Sequence, residues 1–237
     1  MRSLALLVAP MFFAAQAFAA LPPLLADSAA LDRAFIPALM QSNGKDLAKA
    51  RAAHETYEKA WAAFAAAQAD AKRAPVFAAI EAANARARTA LEGAKSAAAH
   101  GAQEEVRHAL WKLRQDLKLT YLPDLLTTYH ETMEEIVLGT AKLEPPRIGP
   151  ADVARLKTLS ATARREWLAI ADTKWDPADY GFDAARVEAF RAGIAAETKA
   201  LDDLDAALAS GEGERIAKAA AAVKPPYART YATFGRF

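Results

Sequence analysis

The fold class is decided most clearly by residues 46–67, which read DLAKARAAHETYEKAWAAFAAA. Bulky side chains recur there every three or four positions, at His54, Tyr57, Trp61 and Phe64, with Leu47 two turns earlier. This spacing places them on one face of an α-helix, and the alanines between them are the strongest helix formers. The stretch therefore predicts an amphipathic helix whose aromatic face packs into a core.

The whole chain has the same character. Alanine accounts for 63 of the 237 residues, the 10 glycines stand mostly at apparent helix ends, and strand-like alternation is nearly absent. We therefore predict an all-α protein of about eight helices. Lys and Arg total 30 and Asp and Glu total 29, and this balance argues against nucleic-acid binding and against a polybasic membrane-surface protein. The absence of cysteine excludes disulfides, thiolate metal sites and c-type haem attachment.

The N-terminus has the three parts of a secretory signal. Arg2 supplies a positive charge, residues 4–15 form an apolar run broken only by Pro10, and Ala17-Phe18-Ala19 is a small-x-small cleavage motif. These features predict a signal peptide over residues 1–19, cleaved before Ala20. The apolar run is shorter than the roughly 20 residues that span a bilayer. We expect a soluble periplasmic protein, residues 20–237, without membrane insertion after cleavage.

The sequence also contains an internal repeat. With an offset of 110, residues 81–125 align with residues 191–235 without a gap, so that Leu91 meets Leu201, Gly101 meets Gly211 and Val106 meets Ile216. We predict a duplicated helical unit of roughly 95–115 residues, with copies at about 28–121 and 122–237. A long period that is present only twice favours one pseudo-symmetric antiparallel bundle over a solenoid, which needs at least three short repeats.

The predicted ends of the helices determine where the remaining histidines and the aromatic C-terminal residues lie. We predict one helix from Pro75 to Ala99, ended by His100-Gly101, and a second from Gln103 to Leu119. His100 then lies at a helix terminus, and His108 lies opposite the apolar stripe of its helix, so neither enters the predicted site.

Pro225-Pro226 is expected to end the eighth helix. The aromatic tail, residues 227–237, is too apolar to be free and should pack on the bundle.

Two histidine–glutamate pairs are the strongest candidates for a site. His54 and Glu58, and likewise His130 and Glu134, stand four residues apart, and the first pair aligns with Ser160 and Arg164 in the other copy, so it is not a repeated packing feature. A histidine and a carboxylate at this spacing share a helix face and can bind one metal ion. Two such pairs on facing helices would form a two-His, two-carboxylate centre. Such ligands suit copper, iron or zinc, and Met133 as a fifth ligand would favour copper.

Other interpretations remain open. Each pair can be a histidine satisfied by its own helix neighbour, and a b-type haem could take His130 with Met40 or His54 as axial ligands. Enzyme motifs are missing, so we expect metal carriage, storage or sensing and no catalysis. The rival function is an envelope interaction or scaffold protein, with no cofactor, that binds a protein partner through helix grooves or the aromatic tail.

One region is unlike the rest of the chain. Residues 103–140 contain a single alanine, Ala109, and concentrate Trp111, Tyr121, Tyr129 and His130. Helices lined by alanine approach one another closely, whereas larger side chains leave more uneven surfaces between helices. A pocket is therefore expected in this region.

Overall fold

The computed structural model describes residues 23–68, 70–115 and 120–237. These residues form nine α-helices: α1 Pro23–Ser42, α2 Leu47–Gln68, α3 Ala74–Glu92, α4 Ser96–Gln115, α5 Leu122–Ala141, α6 Pro150–Ala171, α7 Ala184–Ser210, α8 Gly213–Ala222 and α9 Lys224–Ala232. Two 3₁₀ turns lie at Pro145–Arg147 and Pro177–Tyr180. No strand occurs in these ranges, which confirms the all-α class. The predicted signal peptide, residues 1–19, lies outside the described residues.

The helices pack in two similar sets. In the first half of the chain α1 packs against α2 and α4, and α3 packs against the same two helices. In the second half α5 packs against α6, α8 and α9, and α7 packs against the same three. The helix order and partners thus correspond, with α8 and α9 together in the place of α4. This is what a duplication would produce, and the duplication itself stays a prediction. No helix among the described residues has the length and apolar character needed to cross a membrane.

One core extends through both halves. The predicted aromatic face of α2 is confirmed, since Tyr57, Trp61 and Phe64 are all buried. Its counterpart in the second half is the pair formed by Tyr129 and Trp167, whose ring centroids are 4.8 Å apart. Burying an aromatic side chain contributes about 1.5–3 kcal/mol, so these residues are major sources of stability. The two halves meet where α4 contacts α5 and α1 contacts α9.

The predicted helix end at His100-Gly101 is wrong. The chain turns earlier, at residues 93–95, where the Lys95 backbone N–H donates to the Ala90 carbonyl at 2.8 Å and Ala94 adopts a φ of 56°. A helix usually ends on a glycine in this left-handed conformation, and an alanine there gives no sequence signal. Because α4 begins at Ser96, His100 and Gly101 lie inside it.

The C-terminal segment packs as predicted, with one correction. Tyr227, Tyr231 and Phe234 are buried, whereas the side chain of Phe237 is 66% exposed. Pro225-Pro226 does not end the chain's helical structure, because both prolines stand in the first turn of α9. A proline is tolerated there because the first N–H groups of a helix have no intrahelical acceptor.

The C-terminal residues pack against α1 beside a proline inside that helix. Pro37 has no N–H, so the Arg33 carbonyl four residues earlier lacks its usual helical donor. The backbone N–H of Arg236 donates to that carbonyl at 2.8 Å. Gly235 makes the approach feasible, since a Cβ at this position would lie 3.0 Å from Pro37 Cδ. The last residues are therefore fixed against the first described helix.

Candidate functional site

Each predicted histidine–glutamate pair forms, but the two pairs do not form one centre. His54 Nε2 lies 3.3 Å from Glu58 Oε1 on α2, and His130 Nε2 lies 3.4 Å from Glu134 Oε1 on α5. Among the residues that the structure describes, no group of three or more His, Cys, Asp or Glu side chains is positioned to hold a metal ion. The expected four-ligand arrangement between α2 and α5 is therefore not assembled, and metal binding stays a prediction.

The first pair is enclosed. His54 is only 2% exposed, and its Nδ1 accepts a hydrogen bond from Gln103 Nε2 at 2.7 Å. Burial lowers the pKa of His54, with the nearby Glu58 carboxylate opposing this shift. Glu58 in turn accepts a hydrogen bond from Arg88 Nε at 3.0 Å. These contacts fit a neutral core histidine whose Nδ1 is hydrogen-bonded, while its buried Nε2 lies near Glu58 without forming a hydrogen bond.

Met133, the predicted fifth ligand, lies in the core. Its side chain is fully buried together with Leu126 and Ile136, and it does not line the cavity that contains His130. Met40, the sulfur ligand of the haem alternative, does line that cavity. The face of α5 that carries Met133 therefore packs inward, while the neighbouring face with His130 borders open space.

A cavity of about 390 Å³ lies where the two halves of the molecule meet. We call it the histidine cavity, because it is lined by three of the chain's four histidines. Its wall comes from α1, α4, α5 and α9 and consists of Leu39, Met40, Asn43, His100, Glu104, Arg107, His108, His130, Glu131, Glu134, Lys224, Tyr227, Ala228 and Tyr231. The expectation of a pocket near residues 103–140 agrees with this location.

The α4 wall of the cavity was missed in the sequence. His100, Glu104 and His108 are spaced four apart, so they lie along one side of α4 and face the cavity. One error hid this pattern, since the preceding helix was predicted to end at His100-Gly101. His108 is exposed, as predicted, and it also lines the cavity. In the folded protein α4 also contacts α5 of the other half. The His-x-x-x-Glu-x-x-x-His spacing was the available signal.

Arg107 organises the polar side of the cavity. Its guanidinium is almost fully buried, and Nη2 lies 2.6 Å from Glu104 Oε2 and 3.0 Å from Glu131 Oε1. The same nitrogen lies 2.8 Å from His130 Nδ1. A guanidinium only donates, so Nδ1 must accept and the remaining ring proton is on Nε2, toward Glu134. His130 is therefore a neutral imidazole in this arrangement.

His100 is oriented differently. Its Nδ1 lies 3.3 Å from the Leu39 carbonyl oxygen and 3.1 Å from Ser42 Oγ, and the Ser42 hydroxyl itself donates to that carbonyl. Nδ1 therefore carries a ring proton, and Nε2 lies 3.6 Å from Glu104 Oε1. Histidines that bind metals are commonly held in this way, with the second ring nitrogen donating to a backbone carbonyl.

Two glutamates of the cavity, Glu131 and Glu134, keep their negative charge to low pH. A hydrogen bond from His130 and a second from Lys224 hold the pKa of Glu134 at about 2, against the opposing effect of burial. Close contacts with His130 and His108, together with the positive charge of Arg107, hold the pKa of Glu131 at about 2 against the effect of burial. Three glutamates against Arg107 and Lys224 give the wall one net negative charge when its imidazoles are neutral.

A buried carboxyl group lies behind the cavity. Glu197 of α7 is fully buried and accepts a hydrogen bond from the hydroxyl of Tyr129, the neighbour of His130. Burial raises the pKa of Glu197 to about 7, and the Tyr129 hydrogen bond opposes this shift. The Tyr129 ring in turn contacts Tyr227 of the cavity wall, with 5.7 Å between centroids. A titrating group therefore lies one contact away from the cavity.

Comparison with known proteins gives no relative. The chain matches no protein-family model, no curated protein and no solved structure. The case for a function therefore depends on the side chains that line the histidine cavity.

Proposed function

We propose that this protein is an exported helical-bundle protein that binds a transition-metal dication in the histidine cavity, for carriage, storage or sensing. One observation carries the proposal: three of the four histidines and three glutamates line a single open cavity. Imidazole and carboxylate together suit copper, iron or zinc. The cavity volume of about 390 Å³ lies within the range of small-ligand sites. Export depends on the signal peptide predicted over residues 1–19.

The proposed ligands are His100, Glu104, His130 and Glu134, which are not preassembled as a metal-binding group among the described residues and would have to move together on binding. In the neutral form of His100, Nε2 would supply the lone pair for the metal, whereas His130 must first exchange its hydrogen bonds. If Arg107 releases His130 Nδ1, that nitrogen can carry the proton and donate to Glu131 Oε1, which lies 3.4 Å away. His130 Nε2 is then free to bind the metal beside Glu134. A carboxylate that holds a ligating histidine in this way also makes the imidazole a stronger ligand.

Lys224 competes with the metal in this scheme. Its ammonium group contacts Glu134 Oε1, and its side chain is 45% exposed, so it can move into solvent at little cost. The Lys224→Gln variant should therefore bind the dication about three- to tenfold more tightly, because a competing cation is removed. Affinity that is unchanged or weaker in this variant would argue against Glu134 as a ligand.

The scaffold alternative has less support from the described residues. Tyr227 and Tyr231 of the predicted docking tail are buried in the bundle, so they cannot bind a partner without leaving the core. The exposed large apolar side chains, Leu138, Leu168 and Phe237, come from three different elements. Single exposed apolar residues are normal on protein surfaces. Binding of an envelope protein partner therefore stays a prediction, with no surface that favours it.

The test is a calorimetric titration of the untagged, chelator-free full chain with Zn²⁺ and with Cu²⁺. We expect about one equivalent to bind and the His130→Gln variant to bind at least about tenfold more weakly. His54→Gln is the matched control, because His54 has the same helical spacing to a glutamate but lies outside the cavity. Failure of the folded wild-type protein to bind either ion would refute the proposal. Weaker binding by His54→Gln, together with unchanged binding by His130→Gln, would refute it as well.

A further inference from the structure

A second cavity lies on a different face of the molecule. It has a volume of about 500 Å³, lies between α1 and α2, and is closed on one side by Arg236 and Phe237. Four alanines, Ala30, Ala34, Ala52 and Ala53, line it with methyl groups, beside the polar side chains of Gln41, Lys49 and Thr56. We call it the arginine groove. It shares no lining residue with the histidine cavity, and nothing argued below depends on metal binding.

The C-terminal residues that close one side of the groove are held in place by backbone contacts with α1. The hydrogen bond from the Arg236 backbone N–H to the Arg33 carbonyl and the close approach of Gly235 to Pro37 fix the chain end beside α1. The side chains of Arg236 and Phe237 are consequently held at the groove, although both residues are exposed. The groove therefore has a defined wall on this side.

Two of the three cations that line this groove, Arg33 and Arg236, form no ion pair among the described residues, whereas the third, Lys49, pairs with Asp46. Within residues 23–68, 70–115 and 120–237, no carboxylate forms an ion pair with Arg33, Arg186 or Arg236, although the other half-buried and buried arginines of the bundle, such as Arg107 and Arg114, have them. The buried Nη1 of Arg186 has no hydrogen-bond partner. Burial lowers the pKa of Arg33, and the positive charges of Arg236 and Arg186 lower it further. The nearby Asp32 carboxylate opposes this shift only in part, and like charges held close together disfavour the folded state.

We propose that the arginine groove binds an amphipathic anion, a single carboxylate on an unbranched aliphatic chain. The carboxylate would pair with the guanidinium groups of Arg33 and Arg236, which match its two oxygens. The aliphatic chain would lie along the alanine methyl groups and the ring of Phe237. Charge complementarity selects the head group, and the methyl-lined walls select an aliphatic tail over a polar one. The volume lies within the roughly 300–1,000 Å³ range of ligand sites.

The probe is decanoate, titrated calorimetrically into the full chain below its micelle concentration. Decanol keeps the tail without the charge, and acetate keeps the charge without the tail, so each should bind at least about tenfold more weakly. Shortening the tail should weaken binding by up to about fourfold for each methylene removed. Binding that is equally tight for decanol, or independent of tail length, would overturn the proposal.

Charge-matched variants separate the groove from general charge effects. Arg236→Gln and Arg33→Gln should each weaken decanoate binding about tenfold, since each removes one charged hydrogen-bond donor. Arg147→Gln is the control, because Arg147 is a 79% exposed residue paired with Glu144 elsewhere. Arg236 is exposed, so its variant should fold normally, which circular dichroism would verify. Equal binding by the Arg236 and Arg147 variants, or no saturable binding by the folded wild type, would refute the assignment.

Discussion

The two histidine–glutamate pairs are alike in sequence and different in the folded protein. Both place a histidine and a glutamate on one turn of a long helix, at Nε2 to Oε1 distances of 3.3 Å and 3.4 Å. The first histidine is enclosed and bonded to the neutral side-chain amide of Gln103. The second borders an open cavity and is bonded to the charged side chain of Arg107. The spacing is therefore not what distinguishes a core pair from a candidate binding site.

The difference comes from what each helix packs against. The pair on α2 lies inside the first half, where α1 and α3 cover the helix. The pair on α5 lies at the junction of the halves, where α4 and α9 leave space between them. A histidine inside a bundle must satisfy its nitrogens with neighbouring groups. A histidine at a junction keeps room for a ligand.

Replacing the two histidines by alanine should give the largest contrast in stability. His54→Ala removes a buried ring and leaves the Gln103 amide without its partner, so we expect a loss of about 2–4 kcal/mol in the free energy of unfolding. His130→Ala opens onto solvent and should cost about 1 kcal/mol or less. Urea denaturation of both variants measures this. Similar losses in both would show that the second pair is also part of the core.

The buried carboxyl behind the second pair should make stability depend on pH. The pKa of Glu197 is raised from 4.5 to about 7, so the folded state holds a proton that the unfolded state releases near pH 4.5. Its contribution is complete below pH 4.5 and is lost as the pH rises to about 7. The Glu197→Gln variant should lack this loss and be about 1–3 kcal/mol more stable than wild type at pH 8.

Denaturation at pH 5 and pH 8 tests this, with the difference between the two proteins as the measured quantity. Asp124, whose pKa burial raises to about 6, contributes a slope of the same sign in both. The part of the pH dependence of stability that disappears in Glu197→Gln is therefore the contribution of Glu197. An identical slope in wild type and variant would contradict a raised pKa at this position.

Glu134, in the pair that borders the cavity, should make a smaller contribution to the pH dependence of stability, with the opposite sign. Glu134 has its pKa lowered from 4.5 to about 2, so its stabilising hydrogen bonds are complete above pH 4.5 and are lost as the pH falls to about 2. Because the group is partly exposed, we expect less than about 1 kcal/mol. Acid titration of ellipticity should show Glu134→Gln losing less stability than wild type over this range. A steeper loss of stability in the variant would contradict a lowered pKa for Glu134.

The smallest expected effect concerns the helix that carries His100. Gly101 lies inside α4, and an added Cβ would meet no atom within 4 Å. Gly101→Ala should therefore raise the free energy of unfolding by about 0.5–1 kcal/mol, because glycine is a poor helix former. If the helix instead ended at this glycine, as the sequence suggested, alanine would be destabilising. Thermal denaturation distinguishes the two outcomes.

Local signals in the sequence were sufficient for much of the fold. The periodic aromatic positions of α2 predicted its buried face, because the helical repeat alone determines which side chains share a side. Asp183 is of a residue type favoured just before a helix, and its side chain accepts a hydrogen bond from the Arg186 backbone N–H at 2.8 Å. Such features depend on neighbours within one helical turn, and the sequence displays these directly.

The site could be predicted only in part, because it depends on contacts between distant helices. His130 and Glu134 were found, but they were paired with His54 although α2 packs against α1 and α3. The true neighbours of His130 on α4 were missed for a local reason, since the turn before that helix uses Ala94 where a glycine is usual. Which outward face of one half meets the other half is not encoded in helical periodicity.

The hydrogen bond between Arg236 and the carbonyl opposite Pro37 also has a consequence for how the chain folds. During synthesis α1 is made early, yet one of its carbonyls finds its donor only when the last residues arrive. This contact joins opposite ends of the described chain, so it is among the costliest in loop-closure entropy and should form late. Fraying of the C-terminal segment and loosening of α1 should then occur as one opening event, seen as matched rates of amide hydrogen exchange.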